Sequence, residues 1–187
     1  MIKRKVKQKR KNPYLVEYGY HFTNDYRLDS IMEKGLVPGF LNMDHYWEGC
    51  QKKLIEKLYK KSPIYFSDTP NIKKLSNSLI NRFKEAGYNT CLKVNVSSLD
   101  QSPDLFMLTY DYGCFCETID NQHYLITRML QDYDVKEIEK YDYEIPFYAL
   151  KKDGDQELQL ELIFLTGTFV VNEKIDSKYI EEVIKVK

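Results

Sequence analysis

The chain has 187 residues, 43% of them apolar and including 16 Tyr and 9 Phe, which suits one domain with a core of its own. No apolar run nears the roughly 20 residues that span a bilayer, and Met1-Ile2-Lys3-Arg4-Lys5 leads into no apolar stretch of the secretory kind, so the expected address is cytoplasmic with no membrane partner. The 28 Lys/Arg balance 28 Asp/Glu, but seven of the basic residues fall within positions 1–11; the remainder holds 21 basic against 28 acidic residues, a net of −7, which argues against a broad DNA-binding face.

Residues 1–12 read as a basic, solvated, disordered arm, and residues 13–187 as a single domain. Tyr14–Phe22, rich in aromatic residues, predicts a strand, and Thr23-Asn24-Asp25 supplies caps for a helix over Tyr26–Lys34. Gly35 stops that helix and Leu36-Val37-Pro38-Gly39 leaves it as a turn. Residues 40–63 predict a helix with Leu54, Ile55, Leu58 and Tyr59 on one face, and Pro63 introduces a short strand, Ile64–Ser67. A helix follows over Asn71–Ala86, with Leu75, Leu79, Ile80 and Phe83 as its inner stripe, and Thr90–Val96 alternates as a strand. Asp104–Tyr112, Pro146–Leu150, Gln156–Leu165 and Thr168–Val171 are further expected strands; Tyr124–Gln131 and Lys174–Val186 stay open between helix and strand. Mixed elements without regular βαβ alternation predict an α+β fold.

The four cysteines (Cys50, Cys91, Cys114, Cys116) and three histidines (His21, His45, His123) show no zinc-ligand spacing, so no metal is expected and the thiols read as reduced. The informative strings are Tyr20-His21-Phe22-Thr23, Ile64-Tyr65-Phe66-Ser67-Asp68 and Gln159-Leu160-Glu161-Leu162. His can hydrogen-bond a ribose hydroxyl, Tyr can stack on a pyridinium ring, and Glu can accept from a second ribose and steady positive charge beside it.

With the helix and Gly-Leu-Val-Pro that follow His21, these strings resemble the ADP-ribosyltransferase superfamily, in the His-Tyr-Glu branch of diphtheria-type toxins and poly(ADP-ribose) polymerases. The matching strings cover about a quarter of the chain. The resemblance implies a split β-sheet core with flanking helices and an NAD cleft, with NAD as substrate and no metal. It puts His21 at the adenosine-side ribose, the Phe22 backbone and the Thr23 hydroxyl near the nicotinamide amide, and Tyr65 beneath the nicotinamide. Phe22 stands where the family has Gly, and Ser76 where polymerases offer a second stacking tyrosine, a role that Tyr88 could fill. Glu161 is the implied catalytic carboxylate, Glu157 its rival, and Gln159 a residue that orients the acceptor. On a strand, all three would share one face.

The implied function is an NAD-dependent mono-ADP-ribosyltransferase acting on a macromolecular acceptor, protein or nucleic acid. A small single domain suits a toxin–antitoxin or phage-related modifier, with an antitoxin as a partner. Two other readings stand beside it. One is a non-catalytic module that binds NAD or ADP-ribose. The other is an RNA 2′-phosphotransferase of the same fold, which needs arginines at the cleft; outside the arm these are Arg27, Arg82 and Arg128.

Overall fold

A computed structural model describes residues 16–39, 59, 62–75, 77–110, 115–119, 122–126, 144–150 and 154–186. The basic arm, most of the span 40–63 in which a helix is expected, Ser76, Cys50 and Cys114 lie outside these residues. The fold is α+β. Its main sheet contains β1 (Tyr18–Thr23), β2 (Ile64–Ser67), β3 (Thr90–Asn95), β4 (Gln101–Pro103), β8 (Thr168–Val171) and β9 (Ile180–Lys185), in the order β4-β8-β2-β1-β3-β9 with every neighbouring pair antiparallel. A second antiparallel sheet is formed by β5 (Phe115–Ile119), β6 (Gln122–Ile126) and β7 (Glu144–Pro146).

Side chains alternate across the main sheet, and one face carries the core. Ile64 and Phe66 of β2, Leu92 and Val94 of β3, and Phe169 and Val171 of β8 are buried together with Leu36, Ile163 and Ile175. The Phe66 and Phe169 rings stack with centroids 5.3 Å apart. Gly19 of β1 sits against both rings: a Cβ there would come within 2.7 Å of each. The opposite face presents Tyr20 and Phe22 of β1, Tyr65 and Ser67 of β2, and Thr168 and Val170 of β8.

Helix α1 (Leu28–Lys34) ends at Gly35, whose φ of 79° lies in the left-handed region. An added Cβ would stand 2.2 Å from the Ile175 carbonyl oxygen. That close approach lets Leu36 bridge to Ile175, tying the Gly-Leu-Val-Pro turn to the segment before β9. Helix α2 (Asn77–Glu85) covers the Phe22 face through Phe83, which stacks on Phe22 at 4.6 Å. The expected helix over Asn71–Ala86 is thus divided, with a 3-10 turn at Ile72–Lys74 before α2.

Two expected strands are helices. Asp104 precedes α3 (Leu105–Tyr110), and its carboxylate accepts from the Met107 amide at 3.2 Å. Gln156–Leu165 belongs to α4 (Gln156–Thr166), capped by the Asp155 carboxylate on the Leu158 amide at 3.0 Å and closed by Gly167 at φ 63°. Pro146 ends β7, and Phe147–Leu150 is a 3-10 turn where a strand was expected. The open C-terminal segment resolves into strand β9. No described helix is long and apolar enough to cross a membrane.

Candidate functional site

The main sheet is two three-stranded halves, β4-β8-β2 and β1-β3-β9, joined at a single register pair. β1 pairs with β3 over six positions and β2 with β8 over four, but β1 meets β2 only at Tyr20↔Ser67. In an antiparallel ladder both main-chain groups of a residue point to the same neighbour, and successive residues alternate. Val96 donates to the Glu17 carbonyl and Asn89 to that of Thr23, so odd-numbered residues of β1 turn toward β3. Asp68 donates to the Gly167 carbonyl, so even-numbered residues at β2 turn toward β8. Tyr20 and Phe22 therefore face Ser67 and Tyr65. The first opposing pair closes the sheet; the second does not form a ladder pair, and the strands open there.

His21 bridges the opening. Its Nδ1 lies 3.0 Å from the Tyr65 carbonyl oxygen. A carbonyl only accepts, so Nδ1 carries the hydrogen and Nε2 is left as an acceptor. Burial, with a smaller push from Arg27, holds the imidazole below its usual range, while the bond to Tyr65 opposes this. The ring lies on the core face of β1, tilted against Phe66 with centroids 5.8 Å apart, with Nε2 as its acceptor.

Tyr65 is 41% exposed, so part of its ring is open to solvent. Desolvation first, then the charge of Asp104, push its phenol well above the usual range, against the pull of Arg82 and a hydrogen bond with Ser62. Burial first, and then Asp104, also raise Tyr59, whose hydroxyl donates to the Pro103 carbonyl at 2.9 Å. The charges of one acid and one arginine thus act on Tyr65, and that of a second arginine, Arg27, on His21.

Phe22 reaches the opening by its main chain, whereas the Thr23 carbonyl turns to β3 and accepts from the Asn89 amide at 3.2 Å. The Phe22 ring turns away into the stack with Phe83, so a residue bulkier than glycine does not fill the gap. Thr23 is a buried strand residue and not a helix cap. Asn24, which follows it, donates through Nδ2 to the Ala86 carbonyl at 3.2 Å and to the Tyr26 hydroxyl at 3.1 Å. Its Oδ1 is buried without a hydrogen-bond partner among the described residues. Tyr88 leans on Phe83 at 5.4 Å.

The glutamate string departs from expectation. In α4, buried Leu158, Gln159, Leu162 and Ile163 form the inward stripe, and exposed Glu157, Glu161 and Phe164 the outward one. Glu161 is thus on a helix, turned away from the sheet, and the structure does not bring it beside His21 and Tyr65. Gln159 points in and donates to the Ala149 carbonyl at 2.8 Å; it does not share a face with the two glutamates. The strand that borders β2 is β8, Thr168-Phe169-Val170-Val171, which contains no acid.

Three features were missed in the sequence. Asp104 stood at the start of an expected strand, although a cap position before an apolar run marks it as fixed in place. Arg27 and Arg82 share no motif, and only the fold lets one act on His21 and the other on Tyr65. The unpartnered oxygens of Asn24 and Thr168 carry no sequence signal. Among the described residues no group of three His, Cys, Asp or Glu is placed to hold a metal ion.

Comparison with protein-family models, with curated proteins and with solved structures finds no match for this chain.

Proposed function

We propose that the opening between β1 and β2 binds NAD⁺ and that the chain is a mono-ADP-ribosyltransferase, an ADP-ribosyltransferase-like split sheet acting on a protein or nucleic-acid acceptor. The observation that carries the reading is the single-pair junction of β1 and β2, bridged by His21 at 3.0 Å from the Tyr65 carbonyl. Two residues that the sequence singled out, 44 positions apart, meet where the β1–β2 ladder ends.

The chemistry of the lining suits a nicotinamide dinucleotide. The Phe22 main chain can pair with a carboxamide, which needs one donor and one acceptor. The partly exposed Tyr65 ring offers a π face to the pyridinium. His21 Nε2 accepts from a ribose hydroxyl. Arg27 and Arg82 suit the pyrophosphate. In the transfer, the bond between ribose C1′ and the pyridinium nitrogen breaks, its electron pair leaves with nicotinamide, and an acceptor nucleophile bonds to C1′ and gives up its proton. A carboxylate beside C1′ steadies the oxocarbenium-like centre. We assign that role to Asp104, whose charge acts on Tyr65, ahead of Glu161 and Glu157 on the outward face of α4.

A second reading is favoured by that same outward placement: a module that holds NAD⁺ or ADP-ribose without turnover. The deciding experiment is nicotinamide release from labelled NAD⁺ in cell lysate supplemented with DNA and RNA, with wild type beside Asp104→Asn, Glu161→Gln and Glu157→Gln. Release lost in one variant establishes the transferase and its acid, and the labelled fraction names the acceptor class. NAD⁺ binding without release under any condition establishes the module instead.

A further inference from the structure

The hydroxyl of Thr168 is buried and has no hydrogen-bond partner among the described residues, although its residue is only 3% exposed. Such a group is costly within a fold and is rarely kept without a use. Its position is fixed from both sides. Gly167, in the left-handed conformation, turns the chain out of α4 into β8, and the Thr166 hydroxyl donates to the Thr168 carbonyl at 2.9 Å while accepting from the Thr168 amide at 3.2 Å. The neighbouring threonine thus spends its hydroxyl on the backbone, and Thr168 does not.

Thr168 pairs with Ser67 across β2 and β8, and Val170 pairs with Tyr65. Its side chain therefore shares the face of Tyr65, as that residue's diagonal neighbour, at a Cβ separation of roughly 7–8 Å. The Ser67 hydroxyl is engaged by the Thr69 amide at 3.2 Å. On the Tyr65 face of β8 the remaining side chain is the apolar Val170, so the Thr168 hydroxyl is the strand's one polar side chain. A ring laid against Tyr65 that carries a sugar reaches across that separation.

We propose that Thr168 Oγ1 is a ligand-binding group that hydrogen-bonds a hydroxyl of the ribosyl unit attached to the ring stacked on Tyr65. This rests on the reading of the opening as a nicotinamide dinucleotide site and adds a residue to it. In place of an acid, β8 offers the ligand a neutral hydroxyl, able both to donate and to accept.

The test pairs calorimetric NAD⁺ titration with thermal unfolding for wild type, Thr168→Val, Thr168→Ser and Tyr65→Ala. Valine keeps the shape and removes the hydroxyl. Thr168→Val is expected to raise Tm by about 2–4 °C, since a methyl replaces an unpartnered polar group, and to weaken NAD⁺ binding about tenfold. Thr168→Ser keeps affinity within about twofold, because the hydroxyl stays. If Thr168→Val binds NAD⁺ as wild type does while Tyr65→Ala does not, the assignment of Thr168 is overturned and the site stands. If Tyr65→Ala also binds as wild type does, or wild type does not bind, the reading of the opening falls and this inference with it.

Discussion

Replacing His21 separates its two jobs, because each ring nitrogen does one of them. The Nδ1–H donates to the Tyr65 carbonyl across the junction, and Nε2 is left as an acceptor. The amide nitrogen of an asparagine can occupy the place of Nδ1, so His21→Asn keeps the bridge and deletes the Nε2 acceptor. Loss of one neutral hydrogen bond to the ligand costs about 1 kcal/mol, or roughly a fivefold weaker Kd. Unfolding should stay within about 2 °C of wild type, since the structural bond survives. His21→Ala removes both groups and leaves the Tyr65 carbonyl without a side-chain donor in a half-buried gap. That costs about 1–2 kcal/mol, or roughly 2–8 °C in Tm for a chain of this size, on top of the loss in affinity. The assay is calorimetric NAD⁺ titration beside thermal unfolding of the same samples. If His21→Asn binds as tightly as wild type, Nε2 meets no ligand. If it unfolds as early as His21→Ala, the bridge is not what holds β1 against β2 at this point.

Other outcomes follow from the same geometry. The depressed His21 pKa means that the folded state takes up its proton later than the unfolded chain. Its contribution to stability is complete above the unfolded value of 6.5 and is lost as pH falls through the lower folded value; a pH series of Tm measurements should show this slope and His21→Asn should lack it. NAD⁺ affinity should fall over the same acid range, because a protonated Nε2 no longer accepts. Gly35→Ala meets the Ile175 carbonyl at 2.2 Å in a left-handed backbone conformation; strain and displacement of the Leu36–Ile175 bridge should cost about 3 kcal/mol or more, seen as a lowered denaturant midpoint. Cys91 is buried and its thiol is pushed up to about 12, chiefly by burial; mass spectrometry should find it unmodified by iodoacetamide in the native protein and alkylated after unfolding.

Local signals carried much of the fold. The aromatic run before Thr23, the Ile-Tyr-Phe-Ser string and the alternation from Thr90 gave β1, β2 and β3, and Gly35 gave the end of α1, all within a few residues. The segment from Gln156 failed for a definable reason. Glu157-Leu158-Gln159-Leu160-Glu161-Leu162 alternates polar and apolar residues and so imitates a strand, while Asp155 as a cap, Gly167 as a stop and a run of strong helix formers point to the helix that forms. Asp104 before Leu105 was a second cap read as strand. These errors moved the glutamates, since a period of two puts Glu157, Gln159 and Glu161 on one face and a period of 3.6 turns Gln159 inward.

The candidate site was half legible. His21 and Tyr65 were singled out by their neighbours in sequence, and the fold brings the His21 ring to the Tyr65 carbonyl. The splitting of the sheet, the approach of Arg27, Arg82 and Asp104, and the orphaned Thr168 hydroxyl depend on pairings between residues far apart in the chain, which no local pattern encodes. The same holds for the Asp25 carboxylate, which receives Thr90 and Lys185 from β3 and β9. These bonds, Lys185 above all, hold it below its ordinary range.

The central claim is that the β1–β2 opening is where NAD⁺ binds. Hydrogen–deuterium exchange of the full chain, with and without saturating NAD⁺, tests it at the backbone itself. The account predicts that NAD⁺ slows exchange at the Phe22 amide and around Tyr65, and that His21→Asn and Tyr65→Ala reduce this protection. Protection confined to other segments, or none at saturating NAD⁺, would contradict it.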